Sequence, residues 1–217
     1  MKKSTVLVLA FFFCARLFAQ HDIQLALLKY RGGGDWYSVV DALENLAEFC
    51  NRELHTSIDP EYATVDVGSN EIFNHPFLFL TGHGNVLFSQ QEAANLRKYL
   101  EAGGFLFIDD DYGLNDYIRT AMKSVFPDKE FVELPFDHPI YHQKYDMPDG
   151  LPKIHEHDGL PPKGYAILIE GRVAVFYSYE SNISDGWDSP DVHHDPPELR
   201  RKALEMGANL IQFAFTN

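Results

Sequence analysis

Three consecutive aspartates, Asp109-Asp110-Asp111, followed by Tyr112-Gly113, are the densest concentration of chemistry in the sequence. Adjacent carboxylates repel each other, so a cation, an imidazole or a hydrogen-bond donor must offset them. Successive residues leaving a strand point in different directions, and at most two of the three can converge on one ligand. One or two of them are expected to bind a cation, act as a base or grip hydroxyl groups. The plainer alternative is a solvated loop with one aspartate capping the next helix. Thr81-Gly82-His83-Gly84 is a second candidate, because its glycines allow a ligand close to backbone N–H groups and an imidazole. It can equally be a tight turn with an exposed histidine. Asp109, Asp110 and His83 are the candidate catalytic groups.

The histidines form their own pattern. Asp137-His138-Pro139-Ile140-Tyr141-His142 sets two imidazoles four apart, on one face if Pro139 opens a helical turn. His155-Glu156-His157-Asp158 sets two more on one side of an extended segment, and His193-His194-Asp195 follows later. Mixed histidine and carboxylate donors suit zinc or another divalent ion. His138, His142, His155 and His157 are therefore the candidate ligands of a divalent metal, though no HExxH motif accompanies them. Their alternative role is to brace a long loop through hydrogen bonds.

The elements that must position these groups alternate between strand and helix. Gln24 to Tyr30, Phe77 to Leu80 and Phe105 to Ile108 are solidly apolar and read as buried strands. Trp36 to Glu53, Ser89 to Glu101, Asn115 to Val125 and Glu198 to Phe215 carry helical periodicity, and Ser89-Gln90-Gln91-Glu92 is a capping box. Tyr165 to Ile169 and Val173 to Tyr179 flank Glu170-Gly171-Arg172 as a strand pair. Phe136 to Lys163 fits no regular element and is too long for a mere connection. This pattern predicts one α/β domain over residues 20–217, with a mostly parallel sheet covered by helices on both faces.

In such sheets ligands bind beyond the carboxyl ends of the strands. That rim gathers Arg31, Gly33, Asp35, Trp36, Gly82, Gly84, Tyr112 and Glu180 as candidate ligand-binding residues. Gly32-Gly33-Gly34 is a possible anion nest, but it lacks the Lys-Ser/Thr ending of a phosphate-binding loop. Trp36, Tyr112 and Trp187 offer rings for stacking on a sugar. Cys50 lies on the apolar stripe of its helix and reads as an inert core thiol.

Charge and the first residues bound the setting. Lys2 and Lys3, the apolar run Val6 to Phe13, and Leu17-Phe18-Ala19 have the order of a secretory signal peptide over residues 1–19. The apolar run is too short to span a bilayer, so a periplasmic or secreted protein without stable membrane insertion is expected. Cleavage removes Lys2, Lys3 and Arg16 and no acid, which moves the net charge from −14 to −17. A chain this acidic repels phosphate backbones, which excludes nucleic acid as a partner. Cys50 is the one cysteine left after cleavage, so no internal disulfide is expected.

Phe79-Leu80-Thr81-Gly82-His83-Gly84, Gly103-Gly104-Phe105, Asp109-Asp110-Asp111-Tyr112-Gly113, Asp137-His138-Pro139-Ile140-Tyr141-His142, Ile154-His155-Glu156-His157-Asp158-Gly159, Tyr177-Ser178-Tyr179-Glu180-Ser181 and Asp185-Gly186-Trp187 together resemble the bacterial family called domain of unknown function 4159. That resemblance implies a class I glutamine-amidotransferase-like fold, a flavodoxin-like three-layer sandwich, and no particular reaction. A more distant similarity to the trehalose-utilisation branch of that superfamily tilts the substrate expectation toward sugars. Amidotransferase chemistry needs an elbow cysteine. Here the comparable strand end carries Asp109-Asp110, and Cys50 sits on a helix. The expectation is an exported protein that binds a polar ligand, a carbohydrate or cell-envelope component, at the strand ends. A metal-dependent hydrolase with a His/Asp site and a structural or partner-binding module are the alternatives.

Overall fold

The computed structural model describes residues 23–217; the expected export segment, residues 1–19, lies outside them. In chain order the regular elements are β1 (Ile23–Lys29), α1 (Ala42–Glu53), β2 (Ile58–Asp66), β3 (Phe77–Leu80), α2 (Gln90–Glu101), β4 (Phe105–Asp109), α3 (Asn115–Val125), β5 (Val132–Glu133), β6 (Lys163–Ile169), β7 (Arg172–Tyr179), α4 (Pro190–His193) and α5 (Pro197–Thr216). They build one seven-stranded sheet in the order β2-β1-β3-β4-β7-β6-β5. Neighbours from β2 through β7 run parallel, whereas β6 and β5 add antiparallel pairs. The α/β class and the mostly parallel sheet are those the sequence predicts.

The apolar strands are continuous because both of their faces are covered. Leu25, Leu27, Phe77, Phe79, Phe105 and Phe107 join the core beneath α1 and α5. Their alternating neighbours Ala26, Leu28, Leu78, Leu80, Leu106 and Ile108 join the core beneath α2 and α3. Neighbouring strands align phenylalanines into stacks, with Phe77–Phe105 and Phe79–Phe107 centroids each 5.5 Å apart. Trp187 completes this layer 5.5 Å from Phe107. It is wholly buried, and its indole N–H donates to the Ala203 carbonyl at 2.8 Å. The expectation of a sugar-stacking Trp187 is thereby overturned: the ring is core.

Local signals explain most boundaries. Ser89 and Glu92 form the reciprocal cap of α2, and Pro197 opens α5. α1 starts at Ala42 rather than Trp36, because the N–H groups of Val40 and Asp41 turn aside to donate to Asp188. β2, which no apolar run in the sequence announces, forms one edge of the sheet, and β5 forms the other. Among the described residues, no helix is long and apolar enough to cross a membrane.

Candidate functional site

The chain leaves β1 and crosses over to opposite sides of it for β2 and β3, so the rim opens between β1 and β3. Two glycine loops interlock there. Gly34 N–H donates to the Asn85 carbonyl at 3.0 Å, and Leu87 N–H donates to the Arg31 carbonyl at 2.7 Å. A Cβ on Gly82, at φ +126°, would stand 2.5 Å from the Tyr30 hydroxyl oxygen. These glycines thus permit loop-on-loop packing. The Gly34 N–H belongs to that packing and not to an anion nest, while Gly33 and Gly84 face open space.

The interlock brings Asp35 to His83. The Asp35 carboxylate accepts the His83 backbone N–H and lies 3.1 Å from its Nδ1. That nitrogen is also 3.9 Å from Asp111, which accepts Ser38 Oγ at 3.1 Å and Thr81 Oγ1 at 3.2 Å. Burial, with Asp185 and Asp109 nearby, raises the Asp111 carboxyl well above the usual range. His83 itself keeps 53% of its side chain exposed.

The three aspartates, all buried, divide their work. Asp109 ends β4 opposite Ser178 of β7. Beyond β7 the chain turns back through left-handed conformations at Glu180 and Asn182 and crosses over Asp109. Asp109 therefore accepts from Ser178 Oγ, from the Ile183 N–H at 3.1 Å, and from the Ser184 N–H and Oγ at 2.6 Å each. Burial raises its pKa, and these donors oppose the rise. With so many donors around it, Asp109 brackets the chain and has little left to offer a ligand.

Asp110 differs. Its Oδ2 accepts the Glu180 N–H at 2.9 Å and stands 4.0 Å from His157 Nδ1. Its Oδ1 and His157 Nε2 are buried without hydrogen-bond partners. The nearby Tyr177 hydroxyl donates to Asn115 Oδ1 at 3.2 Å. Burial pushes the Asp110 carboxyl up to about 6, against the Glu180 N–H and the neighbouring Tyr177 hydroxyl. Tyr112, 59% exposed, lies edge-on to the His157 ring at 5.8 Å.

Other candidates have structural partners. Glu180 is buried, accepts from Lys153 Nζ at 2.9 Å and from the Asp158 N–H at 3.2 Å, and so pins the irregular segment over the rim. Arg31 pairs with Glu92 at 2.8 Å. Trp36 packs against both cores, with Lys29 Nζ 5.7 Å from its ring centre.

The histidines separate into two groups. His155 and His157 reach the rim. His138 and His142 end a 3₁₀ turn opened by Pro139, as its proline suggested. His138 packs on Phe213 near the end of α5, and His142 pairs with Asp146 at 2.5 Å and the Phe136 carbonyl at 2.7 Å. The rim segment meets α5 at Arg200, which donates to the Asp188 carbonyl at 2.9 Å. Phe213 is roughly 20 Å along the axis from there, at 1.5 Å per residue. The four histidines therefore do not share one centre.

His155 instead meets Asp195, of the His193-His194-Asp195 run, and Asp185, which the sequence leaves outside the site. Its Nδ1 is 2.7 Å from Asp185 Oδ2, and its Nε2 is 3.1 Å from Asp195 Oδ1. His193 Nε2 lies 3.7 Å from Asp185 Oδ1 and 3.1 Å from Asp188 Oδ2. The hydrogen bond that His155 donates to Asp185, with the charges of Asp185 and Asp195, pushes His155 up to about 9 against its burial. Burial alone would raise Asp185, but His155 and His193 outweigh it and hold that carboxyl low. The only hint of Asp185 in the sequence was the Asp-Gly-Trp tripeptide.

The sequence profile of the family described as Domain of unknown function (DUF4159) matches residues 24–215. No curated protein matches the chain.

Proposed function

We propose that this chain, which belongs to the DUF4159 family, binds a hydroxyl-rich ligand at the rim above β4, with Asp110 and His157 as its acceptor and donor. The observation that carries this reading is the pair of buried, unpartnered atoms, Asp110 Oδ1 and His157 Nε2. An unpaired buried polar atom costs roughly 1–3 kcal/mol, and a hydroxyl supplies both a donor and an acceptor to relieve two of them. Tyr112 adds an exposed aromatic face next to His157. His83 and Asp35 line the neighbouring rim and extend the polar surface.

The setting of this reading is an exported, periplasmic or secreted protein of the class I glutamine-amidotransferase-like, flavodoxin type. The strand order and the rim between β1 and β3 support that type. Cys50, buried within α1, gives no support to cysteine amidotransferase chemistry. The sugar or cell-envelope preference rests on the resemblance to the trehalose-utilisation branch and on Tyr112.

A binding screen of neutral oligosaccharides and cell-wall glycan fragments tests the reading. Binding is expected that Asp110→Asn and Tyr112→Ala each weaken, with the fold checked by circular dichroism. Tyr112 is exposed, so its replacement leaves folding undisturbed. No glycan binding, or binding indifferent to both changes, overturns it.

A further inference from the structure

We infer that His155, Asp185 and His193 form a binding site for one divalent transition-metal ion, of which zinc is the best-matched example. One donor atom from each lies within 4.8 Å of the others. Donors held about 2.0–2.1 Å from zinc in a tetrahedron stand roughly 3.4 Å apart. Asp185 Oδ2 stands 2.7 Å from His155 Nδ1 and Asp185 Oδ1 stands 3.7 Å from His193 Nε2, either side of that spacing through the two oxygens of one carboxylate. Small side-chain shifts bring all three onto a common ion.

The surroundings give a second, independent reason. Asp195 keeps 8% of its side chain exposed, and its Oδ2 is buried without a partner. Asn182 donates to Asp185 at 2.8 Å and leaves its own Oδ1 buried and unpartnered. The orphaned Asn182 oxygen belongs to the residue that holds Asp185, where water bound to an ion would satisfy it, whereas Asp195 lies behind His155 Nε2, on the far side of the ring from Asp185. Asp195 also accepts from His155 Nε2 at 3.1 Å, the outer-shell carboxylate that commonly orients a ligating imidazole. Asp188 Oδ2 lies 3.1 Å from the same His193 Nε2 that faces Asp185, so an ion bound there would take the place of that hydrogen bond.

Two imidazoles and one carboxylate favour zinc and its transition-metal neighbours over magnesium or calcium, which prefer oxygen. His193 retains 29% side-chain exposure, so the ion can enter from solvent and keep a position for water. This site is separate from the hydroxyl-binding pair at Asp110 and His157 and shares no residue with it.

The test is titration of metal-stripped, untagged protein with zinc alone, followed by calorimetry. One zinc per chain is expected, with Asp185→Asn and His193→Ala each weakening binding at least tenfold, the lower bound for loss of even an outer-shell partner. Asp110→Asn and His142→Ala are expected to leave zinc affinity unchanged. His193 is partly exposed, so its replacement tests the site if Asp185→Asn fails to fold. Absence of zinc binding overturns the inference. So does affinity unmoved by His193→Ala, or loss of zinc in His142→Ala, which would place the ion at the other histidine–aspartate pair.

Discussion

His157 Nδ1 stands 4.0 Å from Asp110 Oδ2, and among the described residues each of these side chains holds one further buried polar atom without a hydrogen-bond partner. The pair joins the irregular segment to the end of β4. It leaves a donor and an acceptor ready for a third party.

The Asp110 carboxyl should make stability depend on pH. Burial raises it from 3.8 to about 6 in the folded chain. Between those values the folded chain keeps a proton that the unfolded chain has released. The favourable contribution is therefore fully present below about pH 4 and is lost as pH rises through about 6. Relative to the parent, Asp110→Asn is expected to remove up to roughly 3 kcal/mol of that decline. Urea unfolding at pH 4 and pH 7 reads the difference, and parallel pH slopes for the two proteins would contradict it.

Asp109 should behave as a structural bracket. Replacing it with Asn turns an amide N–H₂ toward hydroxyl and backbone donors that now converge on a carboxylate. A loss of about 3 kcal/mol is expected by urea denaturation, the scale of hydrogen bonds to a charged or buried acceptor. A change below about 1 kcal/mol would show that the 183–184 crossing is held by something else.

The Cys50 thiol is buried, and burial pushes its pKa up to about 12. Thiol reagents at neutral pH should therefore label it only as fast as the protein opens. Cys50→Ala should cost about 1 kcal/mol, below the larger aliphatic deletions, and leave glycan and zinc binding intact. Stoichiometric labelling within the mixing time would contradict the reading.

Export is checked at the N-terminus. Protein recovered from a native-like host should begin close to Gln20, as read by intact-mass spectrometry. An intact Met1 on secreted or periplasmic material would count against the signal peptide.

The sequence disclosed those elements whose signals are local. The apolar runs at Phe77 and Phe105 and the Ser89–Glu92 cap all lie where the structure has them. β2 escaped notice because Pro60 and the acids Asp59, Glu61 and Asp66 mask an edge strand that is buried mainly at Ile58 and Val65. At the rim, the acidic turn after β4 could be read from its position alone. Which histidine would approach it could not be. His138 and His155 sit in similar polar, proline-bearing stretches, and only the packing along α5 sends one to Phe213 and the other to Asp185. Asp185 and His193 lie on segments far from His155 in sequence, so their proximity is a property of the fold rather than of any spacing.

The two outer strands also decide how copies of this chain meet. β2 carries Asp59, Glu61 and Asp66, and Pro60 withdraws a backbone donor from its length. A second copy aligning there would bring acid against acid. β5 is two residues long, and its Glu133 is tied to Lys163 at 2.9 Å. Neither border offers the long, neutral row of free donors and acceptors that recruits a foreign strand. Among the described residues the sheet therefore ends at seven strands, and crowding should concentrate separate molecules rather than seed fibrils.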